Sequence, residues 1–133
     1  MEIKPSSLKK TYNYLVNNQI SIFPLVSFRI AFGILMLIST SRFWSKGWIE
    51  SLYLTPTFFF KFFGFHWVPA PSQAIIYPIF IPLIIACINI SLGLFYRISI
   101  ITFFLLFTYV ELIDASNYLN HYYFISTVAF LMI

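Results

Sequence analysis

The residues best placed to do chemistry form one polar segment, residues 109–123, near the end of an otherwise apolar chain. This segment holds two carboxylates, one imidazole, two amides and several phenols. On one continuous helix, Glu111, Asp114, Tyr118 and His121 would fall at positions i, i+3, i+7 and i+10, which share one face. Such a stripe could shuttle protons or orient a polar substrate.

A second geometry is open for the same segment. The helix can break near residues 116–120, and the chain then turns back into another helix. An interfacial helix-turn-helix, whose polar groups cap helix ends and meet water, is as good an interpretation as a catalytic cluster.

Arg29 is the other charged residue whose position needs an explanation, because it lies near the middle of an apolar run. A central arginine costs about 2.5 to 3.5 kcal/mol on membrane-insertion scales. One interpretation is that it binds an anion, including a carboxylate of a substrate. The other is a structural ion pair with Glu111 or Asp114.

The composition places these residues in a membrane protein. Of the 133 residues, 60% are hydrophobic, 22% aromatic and only 9% charged, and the mean hydropathy is +0.87. A soluble domain has about 25% charged residues. The same figures exclude a disordered chain, and the single cysteine, Cys87, excludes a disulfide scaffold. The net charge of +4 does not form a basic patch, because three of the eight cations lie in the first ten residues and the rest are scattered among apolar runs, so we expect no nucleic-acid partner.

Four apolar runs predict an all-α integral membrane fold, a multi-span helical bundle. The runs are residues 20–40, 74–95, 98–113 and 121–133, of which the last is too short to cross; the first could also be a signal peptide. We therefore expect three complete spans plus a truncated fourth, within a single membrane domain, 1–133, that is the N-terminal fragment of a larger protein. Pro78 and Pro82 predict a kink in the second span.

The segment between the first two spans, residues 41–73, contains all three tryptophans and the run PTFFFKFFGFHWVPAP. Tryptophan favours the headgroup level, so this segment is predicted to lie along the membrane interface. Its aromatic side chains would either pack there or line a site for a flat ligand such as a quinone. The lysines of the first ten residues predict a cytoplasmic N-terminus, which puts residues 114–121 on the outer side.

Other familiar sites have no counterpart in the sequence. His66 and His121 are far apart and only one cysteine is present, so the spacing predicts no metal site. The chain also has neither a phosphate-binding glycine loop nor a nucleophile elbow.

Four stretches, in order, resemble the vitamin K-dependent gamma-carboxylase family, whose membrane part is called the HTTM domain. They are LVSFRIAFGILML (25–37), KGWIESLYLTP (46–56), LGLFYRISIITFF (92–104) and FTYVELIDASNYLNHYY (107–123). The resemblance implies a membrane domain that binds vitamin K hydroquinone and uses its oxygenation to make a strong base. That base removes a proton from the gamma carbon of glutamate side chains, which then take up carbon dioxide.

The resemblance also implies roles for individual residues. The family pattern of an aspartate, a lysine and a later Asn-His pair falls on Asp114, Ala115, Asn120 and His121. Asp114, Asn120 and His121 are thus the expected catalytic residues. We assign quinone or substrate binding to three more side chains, namely Arg29, Glu111 and Tyr118. The implied partners are the lipid bilayer and a protein substrate bearing glutamates.

Ala115 is a departure from that pattern, because a methyl group cannot accept the proton that the family's lysine takes. Either a neighbour such as His121 takes the place of the lysine as proton acceptor, or the protein has a different function, or the residue was altered. We expect this chain alone to be inactive as a carboxylase. The alternatives are a non-catalytic quinone- or lipid-binding membrane module and a structural or export-related membrane subunit.

Overall fold

The structure, a computed structural model, describes residues 21–69, 71–117 and 119–133. Within these ranges the chain is helical and has no strand, which confirms the predicted all-α class. The four α-helices are α1 (Phe23–Ser45), α2 (Gln73–Leu92), α3 (Tyr96–Leu112) and α4 (Asn120–Leu131). A π-helical turn covers Glu50–Leu54 and a 3-10 turn covers Ala115–Asn117.

Helix α1 is longer than the predicted first span and ends at Ser45 rather than at residue 40. Pro24 lies in its first turn, where the missing N–H costs no helical hydrogen bond. The helix stops beside Gly47, which has a φ of 67° and donates its N–H to the carbonyl of Trp44 over 3.0 Å. Glycine adopts this left-handed conformation without strain, and this is why α1 ends here.

Helix α2 ends at Leu92, three residues before the predicted end of the second span. Gly93 has a φ of 75°, and the N–H of Leu94 reaches back to the carbonyl of Asn89 over 3.0 Å. These are the features of a Schellman motif, which closes a helix. The helix is continuous through both internal prolines.

Helices α1 and α2 are each long and apolar enough to cross a membrane, by length and composition. Their outer faces carry large apolar side chains that the bundle leaves exposed, among them Leu35, Ile38 and Ile85. Apolar outer faces of this kind are compatible with a membrane protein.

The helices pack in chain order, α1 on α2, α2 on α3 and α3 on α4. Since they run up and down, the bundle has two ends. The turn end holds the short connection 93–95, and the site end holds the connections 46–72 and 113–119. Two apolar clusters form the core: Phe32, Met36, Leu83, Ala86, Cys87, Ile90, Ile100, Phe103 and Ala129 in one, and Ile49, Tyr53, Ile76, Phe80 and Ile113 at the site end.

Gly33 sets the close approach of α1 to α2. A Cβ at this position would lie 2.8 Å from the backbone nitrogen of Ser91 and 3.0 Å from the carbonyl oxygen of Cys87. The Ser91 hydroxyl donates to that same carbonyl over 3.0 Å, so the serine is held against its own helix. Small residues at a helix contact let the backbones come together, as is common in membrane bundles.

Candidate functional site

The polar segment is not one continuous helix, because α3 ends at Leu112 and α4 begins at Asn120. The stripe predicted for an unbroken helix is therefore not formed, and the chain turns back as in the second geometry. The break begins slightly earlier than residues 116–120, since Asp114 already lies outside α3 and the 3-10 turn follows it. The predicted site residues are thus distributed over a helix end, a turn and a new helix.

Asp114 organises this turn. Its side chain is buried, with 5% of the residue's surface exposed. Its Oδ1 accepts hydrogen bonds from the backbone N–H groups of Phe60, at 3.2 Å, and Ser116, at 3.0 Å. Its Oδ2 accepts from the Ser116 hydroxyl, at 2.8 Å, and from Asn117 Nδ2, at 3.3 Å. Four donors satisfy a buried carboxylate, so the structure shows Asp114 as a positioning group. Its catalytic role stays a prediction.

Two further contacts tie the aromatic segment after α1 to the same turn. The backbone N–H of Ala115 donates to the carbonyl of Phe60 over 2.7 Å. The ammonium of Lys61 donates to the carbonyl of Ile113 over 3.1 Å. A cation therefore lies at the carbonyl of Ile113, the residue before Asp114, and it comes from a residue more than 50 positions earlier in the chain.

Glu111 lies on the last turn of α3 and faces α4. Its Oε2 accepts a 2.5 Å hydrogen bond from the hydroxyl of Ser126, whereas its Oε1 is buried without a hydrogen-bond partner. A buried carboxylate oxygen without a partner costs free energy, and such an exception calls for a missing donor. The missing donor is either water or a ligand group.

Glu111 lines a partly open cavity of about 60 Å³ at the site end. A single water needs roughly 10 to 15 Å³ by this measure, so the cavity has room for a few waters. Polar groups reach it from four parts of the chain, which are Thr40 on α1, Tyr53 in the π-helical turn, Asp114 and Asn117 in the α3–α4 connection, and Tyr122 on α4.

A wider groove of about 400 Å³ adjoins the cavity. The two share the side chains of Phe43, Tyr53, Asn117 and Tyr122 as walls. The remaining groove lining mixes apolar and hydroxyl groups: Trp48, Ser51, Leu52, Ser116 and Leu119. Ligand sites in proteins have volumes of roughly 300 to 1,000 Å³, and the volume of this open groove falls within that range.

Tyr53 connects the two spaces and is only 7% exposed. Burial raises the pKa of its phenol above the usual range, and the nearby Tyr122, Asp114 and Glu111 raise it further. The phenol therefore stays protonated and remains a hydrogen-bond donor at neutral pH.

The other predicted catalytic residues lie outside these two spaces. His121 and Asn120 are exposed at the start of α4, and neither lines the cavity or the groove. The His121 ring packs edge-on against Tyr122, with centroids 4.5 Å apart. Tyr118, the remaining member of the predicted stripe, lies outside the described residues.

Arg29 lies at the turn end, away from the acidic residues. Its guanidinium sits over the ring of Tyr96, 5.6 Å from the centroid, at the start of α3. Glu111 follows Tyr96 by 15 residues on the same helix, a rise of about 22 Å. The ion pair considered for Arg29 with Glu111 or Asp114 is therefore not formed, and the structure does not bring Arg29 and Glu111 together in one pocket.

Metal binding has no candidate in the described ranges, because no three His, Cys, Asp or Glu side chains come together there. His66 is exposed in the aromatic segment, and Cys87 is fully buried in the core.

Sequence reasoning missed three residues that line this site, namely Thr40, Tyr53 and Tyr122, and it missed Lys61 in the adjoining turn. Tyr53 lies in KGWIESLYLTP, one of the stretches that carry the family resemblance, and Tyr122 directly follows His121, so both had a signal. Lys61 had none, because its neighbours in the turn are distant in sequence.

The fold and the site together define a helical bundle that is compatible with a membrane protein and has a polar pocket at one end. The family model described as the HTTM domain matches residues 17–133, which is most of the chain. The chain belongs to the HTTM domain family, a membrane domain found in vitamin K-dependent carboxylase. Searches of the curated proteins and of the solved structures find no significant match.

Proposed function

We propose that this protein binds a reduced quinone of the vitamin K class at the site end, and that the chain alone does not carboxylate glutamate. The observation that carries the proposal is the unpartnered Oε1 of Glu111 in a cavity next to an aromatic groove. A hydroquinone hydroxyl is a donor, which is what this oxygen lacks. The flat ring matches the aromatic walls that the groove and the cavity share.

Four residues would hold the hydroquinone. Glu111 would accept from a hydroxyl, and the protonated phenol of Tyr53 would donate to a ring oxygen. Phe43 and Trp48 supply apolar surface in the groove. When bound in a carboxylase of this family, the hydroquinone supplies the strong base through its oxygenation. This chain would bind and orient it and exclude bulk water.

The proposed inactivity rests on the turn around Asp114. Position 115 holds a methyl group, and Asp114 has all of its hydrogen-bonding capacity directed to neighbouring donors. Lys61 contributes the nearby ammonium, but it donates to a carbonyl and lines neither the cavity nor the groove. A proton acceptor for the hydroquinone is thus missing in the expected place.

The membrane arrangement completes the proposal. Helix α3 has 17 residues, about 25 Å in length, and with α1 and α2 would make three spans, with α4 as a partial fourth. The proposed unit is a single membrane domain over 1–133 with a cytoplasmic N-terminus. The turn at Asp114 would then face outward, where a protein substrate bearing glutamates would approach.

Two measurements on the purified membrane protein test this function. Quenching of tryptophan fluorescence by reduced vitamin K should show saturable binding, because Trp48 lines the groove. Glu111→Ala should weaken that binding about tenfold, since it removes the hydrogen-bond acceptor. Incorporation of carbon dioxide into a glutamate peptide should stay at background.

Glu50→Gln is the matched control, because Glu50 lies at the same end but accepts from Tyr77 and lines neither space. It should bind reduced vitamin K like the wild type. Clear carboxylation by the unaltered chain would overturn the proposed inactivity. Absence of quinone binding would favour a structural or export-related subunit. Quinone binding without epoxide formation, unchanged by Ala115→Lys, would favour a non-catalytic module.

A further inference from the structure

Arg29 is a cation without an anionic partner in the part of the chain that the structure describes. Its Nε is buried and has no hydrogen-bond partner. The described carboxylates are all engaged at the site end, Glu50 with Tyr77, Glu111 with Ser126 and Asp114 with its four donors. A half-buried guanidinium with none of these side-chain carboxylates in reach is able to bind an external anion.

The fold holds this guanidinium in place from two sides. Tyr96 lies under it as an aromatic plane, and the Tyr96 hydroxyl is fixed by donating to the carbonyl of Met132 over 2.8 Å. Gly93 opens the other side, because a Cβ there would lie 3.0 to 3.2 Å from the guanidinium atoms. The glycine thus leaves room for the arginine beside the end of α2.

Local carbonyls do not satisfy the guanidinium fully either, because its Nε has no acceptor among the described residues. The planar fork of a guanidinium matches the oxygens of a phosphate.

The side chains around Arg29 indicate what kind of phosphate-bearing molecule fits. Arg97 adds a second positive charge one residue after Tyr96, and it is exposed. The neighbouring surface is apolar: Leu25 is 68% exposed, Phe28 50% and Phe95 78%. Phe95 holds a φ of 44°, a left-handed conformation rare for a bulky residue, directly between Leu94 and Tyr96. A guanidinium beside an exposed apolar surface, with a second cation one residue after its aromatic partner, suits a molecule that is both anionic and apolar.

We propose that Arg29, with Arg97 beside it, binds the phosphate group of an anionic membrane phospholipid at the turn end of the bundle. The site is independent of the quinone site, from which it is separated by most of the length of α3. Its lipid would hold the ends of α1, α2 and α3 together at the membrane surface.

Lipid retention in native mass spectrometry tests the site. The whole protein is released from nanodiscs that contain equimolar dioleoylphosphatidylglycerol and dioleoylphosphatidylcholine. The wild type should retain phosphatidylglycerol in preference to phosphatidylcholine. Arg29→Gln should reduce that preference about tenfold, because a charge-assisted contact to the phosphate is lost. Arg29→Lys should fall between the two, since it keeps the charge and loses the fork.

Arg42→Gln is the matched control, because Arg42 also lies over an aromatic ring, that of Trp48, but at the site end. It should retain lipid like the wild type. Unchanged preference in Arg29→Gln, or an equal loss in Arg42→Gln, would overturn the proposal. Displacement of the lipid by millimolar inorganic phosphate would overturn the choice of a lipid in favour of a free oxyanion. If Arg29→Gln fails to fold, Arg29→Lys is the deciding variant. A wild-type preference for phosphatidylglycerol in Arg29→Lys would overturn the proposal that the guanidinium fork recognises the phosphate.

Discussion

The hydroxyl of Ser126 on α4 donates a 2.5 Å hydrogen bond to Oε2 of Glu111 on α3. This contact joins two helices at the wall of the cavity, and it leaves the second carboxylate oxygen free for another donor. Glu111 is thus both a packing element of the α3–α4 contact and the acceptor of the proposed quinone site.

Ser126→Ala should destabilise the protein by about 1 to 3 kcal/mol, because it leaves a buried carboxylate with neither oxygen bonded to protein. Denaturant unfolding in detergent measures the change. Thr127→Ala is the control, since Thr127 donates to Tyr123 within α4 and is only partly buried. Its effect should stay within about 0.5 kcal/mol. Equal losses in the two variants would contradict the role given to Glu111.

Asp114→Ala should release the aromatic segment from the α3–α4 connection. The N–H groups of Phe60 and Ser116 lose their acceptor. Their hydrogen exchange should accelerate, whereas exchange in α2 stays slow because that helix does not depend on this side chain. Protection of Phe60 and Ser116 that survives the substitution would show that Asp114 does not organise the turn.

Gly33→Ala should cost about 1 to 3 kcal/mol of stability, since the new methyl group meets the backbone of α2 at Ser91 and Cys87. The same unfolding measurement applies. Ala31→Ser, at an exposed position on the same helix, should change stability by less than about 0.5 kcal/mol. A neutral result for Gly33→Ala would mean that α1 and α2 do not pack this closely.

The effect of Ala115→Lys on the free energy of unfolding should depend on Lys61. The backbone N–H of residue 115 bonds to Phe60, and the ammonium of Lys61 bonds to Ile113, so two cations would share one small turn. The double variant Lys61→Met/Ala115→Lys should be more stable than the sum of the single changes by about 0.5 to 3 kcal/mol. A double-mutant cycle of unfolding free energies measures this coupling, and strict additivity would place the two side chains apart.

The raised pKa of Tyr53 makes a contribution to stability that depends on pH. The folded pKa lies above the unfolded value of about 10, so this contribution is complete below pH 10 and is lost as the pH rises beyond it. Tyr53→Phe should therefore lose less stability than the wild type between neutral pH and strongly alkaline pH. Identical alkaline profiles of unfolding free energy would contradict the burial of this phenol.

Local signals in the sequence were enough to locate the helices. The apolar runs predicted four helices, and Pro24 and Gly93 account for where α1 begins and α2 ends. The exact ends were missed by up to five residues, because hydropathy does not register the conformation of Gly47 or Gly93.

The site was harder to predict, because it is built by contacts distant in sequence. The polar segment identified Glu111 and Asp114, which both line the cavity. The contribution of Tyr53 and Lys61 depends on how the chain folds back after α1, and no period or spacing encodes that path. Arg29 illustrates the same limit: its partner Tyr96 is 67 positions away and at the opposite end from the acidic residues.

The unequal lengths of the connections have a consequence for how this domain can diversify. The turn 93–95 is short and holds Gly93 and Phe95 in left-handed conformations, so an insertion there would separate Arg29 from Tyr96. The connections 46–72 and 113–119 are longer, and between them they carry most of the polar lining. New side chains can thus be introduced at one end of the bundle while the other keeps the helices in register.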